Sequence, residues 1–279
     1  MRILHCTSAA NIRFFCEKIE WSKIEFWFFH INYPFLVISV IYTSHILKIF
    51  KTRSDLSSFL AQFHQSKQSV GFVPTMGALH QGHLSLIQLA KEKSDIVVCS
   101  IFVNPTQFND PNDLKKYPRP LAADIQLLEQ AGCDVLFVPE VSEIYDTNTP
   151  EWTINLDGLD ERLEGKIRPG HYQGVTQVVK ILFDIVAPNF AFFGQKDYQQ
   201  LLVIKKMIDK LAIATELIMC PTVRESDGLA MSSRNIHLSP DERSHSIALS
   251  RALKLAEQEF KHLSIQEITD HVTRYLQAS

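Results

Sequence analysis

The chain has 279 residues, of which 46% are hydrophobic, 21% charged and 10% aromatic, with a formal net charge of −3. That balance excludes a disordered chain, a collagen-like repeat and a disulfide scaffold. It also argues against a dedicated nucleic-acid binder, which carries a basic excess.

At roughly 100–200 residues per domain, the length holds one or two domains. The five cysteines (Cys6, Cys16, Cys99, Cys133 and Cys220) are widely spaced and form no C-x-x-C pair. Three lie in apolar runs, as reduced core thiols do, so a cytoplasmic protein is expected. All ten glycines lie at or after Gly71, whereas residues 1–50 are dense in Phe, Trp and Tyr. The two parts do not read as one design.

From Phe26 to Leu47 the chain carries no Asp, Glu, Lys or Arg. A run of that length can span a hydrocarbon core. His30, Asn32, Pro34 and His45 suit a membrane helix poorly, however, and Glu20, Lys23 and Glu25 give no positive flank. No small-residue cleavage site follows, so neither an anchor nor a cleaved signal peptide is expected. Residues 1–46 are expected instead to be an extension outside the globular protein, upstream sequence included by a misplaced start.

The signals then become regular. Ser54-Asp55-Leu56 opens a helical pattern with Leu56, Phe59, Leu60 and Phe63 on one face. Ser69–Pro74 reads as a strand, Gly77–Gly82 as a loop, and Leu84–Lys93 as a helix with Leu84, Ile87 and Leu89 inward. Asp95–Val103 is a continuous apolar run, as expected of a strand buried on both faces. Leu121–Ala131 is an amphipathic helix and Asp134–Val138 a strand. Val175–Val186 (helix), Phe190–Phe193 (strand), Tyr198–Leu211 (helix) and Glu216–Cys220 (strand) complete the series. Strands alternating with helices predict an α/β fold with a doubly wound parallel sheet, whose ligands bind at the carboxyl ends of the strands.

Three segments follow strands and carry chemistry. Pro74-Thr-Met-Gly-Ala-Leu-His80-Gln-Gly-His83 brings glycines and two histidines to a helix start, where free N–H groups and the helix dipole favour phosphate. Zinc is the alternative for such a pair, but no Cys or acidic ligand stands at useful spacing. Asn104-Pro-Thr-Gln107 places two amides at the sheet mouth, suited to a hydroxy-acid or amide substrate. Gly194-Gln195-Lys196-Asp197 adds a phosphate-reaching lysine and an N-cap or ribose contact, with Gln199 and Gln200 on the next turn. Farther on, Arg224 and the run from Asp227 through Met231, Ser232, Ser233 and Arg234 to Asn235 add hydroxyls and guanidinium groups, the two adjacent serines followed by Arg234 making a compact anion clamp. No nucleophile elbow, P-loop or dinucleotide fingerprint is present, so direct adenylyl transfer between bound substrates fits best.

These segments resemble the pantothenate synthetase (pantoate–β-alanine ligase) family of the H-x-G-H nucleotidyltransferases. The matching stretches are PTMGALHQGH (74–83), SIFVNPTQF (100–108), YPRPLAAD (117–124), LEGKIRPGHYQGV (163–175), FFGQKDYQQ (192–200) and VRESDGLAMSSRN (223–235). The resemblance implies a Rossmann-like catalytic domain over 47–221, part of a small α+β domain over 222–279, and a homodimer. It further implies that ATP activates pantoate, with Mg²⁺ assisting, and that β-alanine then displaces AMP.

Carried over by motif, Met76, Gly77, Ala78, Leu79, His80, Gln81, Gly82 and His83 line the ATP site, with both histidines on the phosphates and His83 as proton donor. Gly194 to Asp197 contact ATP, Lys196 on the phosphates and Asp197 on the ribose, while Val223 touches adenine. Met231, Ser232, Ser233 and Arg234 correspond to the K-M-S-K-S segment of class I synthetases. Gln107 and Gln200 hold pantoate, Asn104 lies close by, and Asp124 contacts Mg²⁺. The family lacks the segment ahead of Lys48 and continues past the position of Ser279, so an incomplete second domain is expected. Two other readings stand beside this one: another H-x-G-H adenylyl- or cytidylyltransferase, and an inactive ATP-binding or membrane-tethered remnant.

Overall fold

A computed structural model describes residues 25–28, 39–42, 46–147 and 149–279. Residues 1–46 and 47–279 form separate compact units. In the first, β1 (Glu25–Phe28) pairs antiparallel with β2 (Ser39–Tyr42), Glu25 opposite Tyr42. The rest of the expected N-terminal extension lies outside the described residues. Among the described residues, no helix is long and apolar enough to cross a membrane.

The second unit is built on six parallel strands: β3 (Lys48–Phe50), β4 (Val70–Thr75), β5 (Ile96–Ile101), β6 (Val135–Phe137), β7 (Phe190–Gly194) and β8 (Glu216–Cys220). Their spatial order is β3-β6-β5-β4-β7-β8. The apolar runs of the central strands β4, β5 and β6 are continuous because they feed two cores with alternate residues. Val70 and Phe72, Ile96 and Val98, and Val135 and Phe137 enter one core with Leu56, Leu60, Val178, Leu182 and Ile204. Val73, Val97, Cys99 and Leu136 enter the other with Ile87, Ala90 and Leu128. Burying one such aliphatic or aromatic side chain contributes about 1.5–3 kcal/mol.

The first core packs α1 (Arg53–Gln65), α7 (His171–Val186) and α8 (Tyr198–Lys210) on one face of the sheet. The second packs α2 (Gln81–Lys93) and α4 (Leu121–Ala131) on the other. Three short helices lie in connections: α3 (Pro111–Lys116), α5 (Val141–Ile144) and α6 (Leu163–Ile167). From β4 the chain steps to β5 on one side, and β7 flanks β4 on the other. The strand order therefore reverses beside β4, and the crevice at its carboxyl end is where such sheets hold ligands.

The expected elements are present, with shifted boundaries. α2 begins at Gln81, and Leu86, Ile87 and Ala90 are its buried positions, while Leu84 and Leu89 are half-buried flanks. α7 starts at His171 rather than Val175, its first turn following Gly170 in the left-handed conformation (φ 79°). β3, only three residues long, gave no periodic signal. Beyond residue 222, the described residues hold one isolated bridge (Arg224–Ala230) and the helices α9 (Pro240–His245), α10 (Ala248–Glu259) and α11 (Ile265–Ala278). Ser239 with Glu242, and Ser264 with Glu267, close capping boxes at the starts of α9 and α11.

Candidate active site

The crevice beyond β4 and β7 is lined from both sides of the reversal by His80, His83, Lys196, Gln107, Gln200 and the 231–234 segment. Helix α2 starts there with an unusual cap. The His80 side chain accepts at Nδ1 from the Gly82 amide (3.1 Å), and His83 Nδ1 accepts from the His80 amide (3.3 Å). The two imidazoles thus do the work a Ser/Glu capping box does elsewhere.

Because each Nδ1 is occupied as an acceptor, a neutral ring carries its proton on Nε2. Both rings are held neutral. Burial, then the cost of charging a second ring beside His80 and the charge of Lys196, pulls His83 down to about 3, and burial with Lys196 lowers His80 as well. Two Nε2–H donors stand with ring centroids 4.1 Å apart at a helix N-terminus. Gly82 is required by this packing: a Cβ there would meet the His80 ring at 2.9 Å.

Across the crevice, Lys196 sits on the turn after β7, paired with Asp197 at 2.8 Å. Asp197 precedes α8 but makes no side-chain cap bond there. Arg234 pairs with Asp113 of α3 at 3.1 Å and stacks over the Tyr117 ring at 5.5 Å. Tyr117 and Ser233 share a hydroxyl hydrogen bond at 3.4 Å, and the Ser232 hydroxyl accepts from the Arg234 amide. Cationic and hydroxyl donors thus face the two histidines, which suits a polyphosphate.

The amides sit deeper. Asn104 is 1% exposed, and every polar atom of its side chain is occupied within the protein. It supports Gln107 rather than offering a free group to substrate. Gln107 keeps its Nε2 hydrogens toward Met76 Sδ (3.3 Å) and the crevice. Its backbone carbonyl accepts from His171 Nδ1 (2.8 Å) and Arg168 (3.1 Å).

Asp124, for which the resemblance implies a Mg²⁺ contact, binds the bend after β4. It is 1% exposed, and its two oxygens accept from the amides of Ala78 (2.9 Å) and Leu79 (2.8 Å). Among the described residues no group of three His, Cys, Asp or Glu stands ready for a metal. Mg²⁺ binds through one or two carboxylates plus substrate phosphates; each Asp124 oxygen already accepts one amide hydrogen bond, and Asp197 is a carboxylate that lines the crevice.

The structure also sorts the remaining residues. Val223, Met231 and Gly194 line the crevice. Leu79 packs into the second core, Gln81 faces a neighbouring groove on the outer side of α2, and Gln195 is exposed on its turn. Gly77 and Ala78 form the bend below, both with positive φ. Arg168, His171, Tyr117 and Asp113 went unread as site residues because their contacts are long-range. The signal for the first three was their place inside the R-P-G-H and Y-P-R-P stretches.

Comparison with known proteins agrees with this geometry. The family model "Pantoate-beta-alanine ligase" matches residues 48–279. The chain is 51% identical over 205 residues to the pantothenate synthetase of a Thermoanaerobacter species, covering 74% of this chain and 72% of that one. It is 49% identical over 215 residues to that of Acetivibrio thermocellus, covering 77% and 76%. The crystal structure of pantothenate synthetase from Thermus thermophilus is similar, with a TM-score of 0.78 and 43% identity over 83% of this chain and 82% of that one. So is that of pantoate-beta-alanine ligase from Francisella tularensis, complexed with beta-gamma ATP and beta-alanine, with a TM-score of 0.70 and 39% identity over 82% and 86%.

Proposed function

The chain belongs to the pantoate–β-alanine ligase family, and from that membership we propose how its own residues carry the reaction. The enzyme joins pantoate to β-alanine with ATP as the driving substrate. A pantoate carboxylate oxygen attacks the α-phosphorus of ATP, the bond to the β-phosphate oxygen breaks, and pyrophosphate leaves. The amine of β-alanine then attacks the acyl carbon of pantoyl adenylate, loses a proton, and AMP departs with the former carboxylate oxygen.

The observation that carries this reading is the convergence of donors on one crevice. His80 and His83 present Nε2–H groups, Lys196 an ammonium and Arg234 a guanidinium, beside the N-terminus of α2. Such donors stabilise charge that moves from the α-phosphate onto pyrophosphate. Gln107 and Gln200 would hold pantoate against that phosphorus, and fixing two reactants in near-attack geometry supplies about 7–11 kcal/mol of the barrier. Val223 would meet the adenine, Asp197 the ribose, and Met231 to Ser233 the phosphates; all line the crevice.

Mg²⁺ bound with ATP would be held mainly by the substrate phosphates and would offset their charge. A homodimer in the cytoplasm, with the three small-molecule substrates as its partners, is the setting that the family resemblance implies.

Coupled assays on the purified protein test the reading. Pyrophosphate release is expected to require both ATP and pantoate, and AMP release to require β-alanine as well. Folded protein that releases no pyrophosphate on adding pantoate, or releases it with another acceptor instead, contradicts the assignment.

A further inference from the structure

We propose that Tyr145, which does not line the crevice, is a positioning residue that, together with the Thr106 amide and the Gly174 carbonyl, holds through Asn104 the Gln107 amide with its N–H toward pantoate. The inference rests on pantoate occupying the crevice beside Gln107.

The argument starts from two groups whose polarity is fixed. The Thr106 amide can only donate, and it points at one side-chain atom of Asn104 (3.3 Å). The Gly174 carbonyl can only accept, and it faces the other (3.2 Å). The first atom is therefore Oδ1 and the second Nδ2. Tyr145 makes the shortest contact in this cluster, its hydroxyl donating to Oδ1 at 2.7 Å, while the Thr106 hydroxyl lies 3.1 Å from Oδ1 and 3.2 Å from the tyrosine oxygen. The second hydrogen on Nδ2 goes to Gln107 Oε1 at 3.1 Å. With Oε1 turned inward, Nε2–H is what remains for the crevice.

The order is thus Tyr145 O–H to Asn104 carbonyl, Asn104 N–H to Gln107 carbonyl, and Gln107 N–H to substrate. A carboxylate or hydroxyl oxygen meets a donor. A reversed Gln107 would present an oxygen that repels a carboxylate, which has no hydrogen to donate. Chains of hydrogen bonds polarise one another in the same sense. The close approach is built in: a Cβ at Gly174 would meet the Thr106 carbonyl oxygen at 2.7 Å, so α7 can sit directly on the 105–107 turn.

Tyr145→Phe keeps the ring beside Phe102, 6.4 Å away between centroids. It removes one hydrogen bond two links from the substrate. The KM for pantoate is expected to rise about three- to tenfold, with kcat changing less and the KM for ATP unmoved. In a Gln107→Ala background the same substitution is expected to add nothing, because the group it orients is gone. An unmoved pantoate KM, an equal rise in the Gln107→Ala background, or a parallel rise in the ATP KM overturns the proposal.

If Tyr145→Phe does not fold, Asn104→Asp carries the test: it replaces the donor facing Gln107 Oε1 by an acceptor, and a larger rise is expected. Wild-type pyrophosphate release that ignores pantoate removes the functional reading itself. Pantoate-dependent release with an unmoved Tyr145→Phe value removes this inference alone.

Discussion

His83→Ala is expected to lower pantoate-dependent pyrophosphate release by about 10²- to 10³-fold while the protein remains folded. The size follows from what the ring does. His83 is half-buried, its Nδ1 is taken by the His80 amide, and its Nε2–H is left for the phosphates. A preorganised donor in a site shielded from water stabilises transition-state charge far more than the same donor in water.

The family resemblance casts this residue as a proton donor, and the burial argues for a narrower role. A ring pulled down to about 3 is neutral at physiological pH. Arriving phosphate charge raises it, but from that starting point only part of the way. His83 is therefore expected to donate a hydrogen bond rather than a proton, and the free enzyme's kcat/KM for ATP should show no limb from His83 between about pH 5 and 8. His83→Ala also removes a cap on the His80 amide, worth about 1 kcal/mol. Thermal unfolding separates that small loss from the catalytic one. Unchanged turnover would remove the role.

Asp124→Ala is expected to destabilise the protein by about 2–4 kcal/mol, from one buried and one part-buried N–H group left without acceptors, the buried one at about 1–3 kcal/mol and the other at the low end of that range. Those amides belong to Ala78 and Leu79, and Ala78 holds φ 50°, a conformation non-glycine residues enter only when the surroundings enforce it. Without the carboxylate, the bend from Met76 to His80 should relax and carry His80 away from the phosphates. Denaturant unfolding is expected to show the loss, together with a raised KM for ATP. A metal role predicts otherwise: unchanged stability with a higher Mg²⁺ requirement.

What could be read from the chain, and what could not, follows from the range of the interactions. The parallel sheet was legible because β4, β5 and β6 bury both faces and leave uninterrupted apolar runs. The crevice was legible because the backbone geometry at strand ends demands particular residues, such as Gly82 against the His80 ring. The capping boxes at Ser239 and Ser264 were written in the sequence and not read. Asp124 could not be placed from sequence, since its partners are 45 and 46 residues away and both are backbone amides. The same holds for Asn104, whose side chain is spent on Tyr145, Gly174 and Gln107. An amide in a binding motif looks identical whether it touches substrate or supports the residue that does.

The central claim is that pantoate is activated by direct attack on the α-phosphorus of ATP. Pantoate labelled with oxygen-18 in both carboxylate positions tests it most directly. One labelled oxygen is expected in the phosphate of AMP and the other in the amide carbonyl of the product. AMP free of label, with the heavy oxygen in inorganic phosphate or pyrophosphate, would contradict the account.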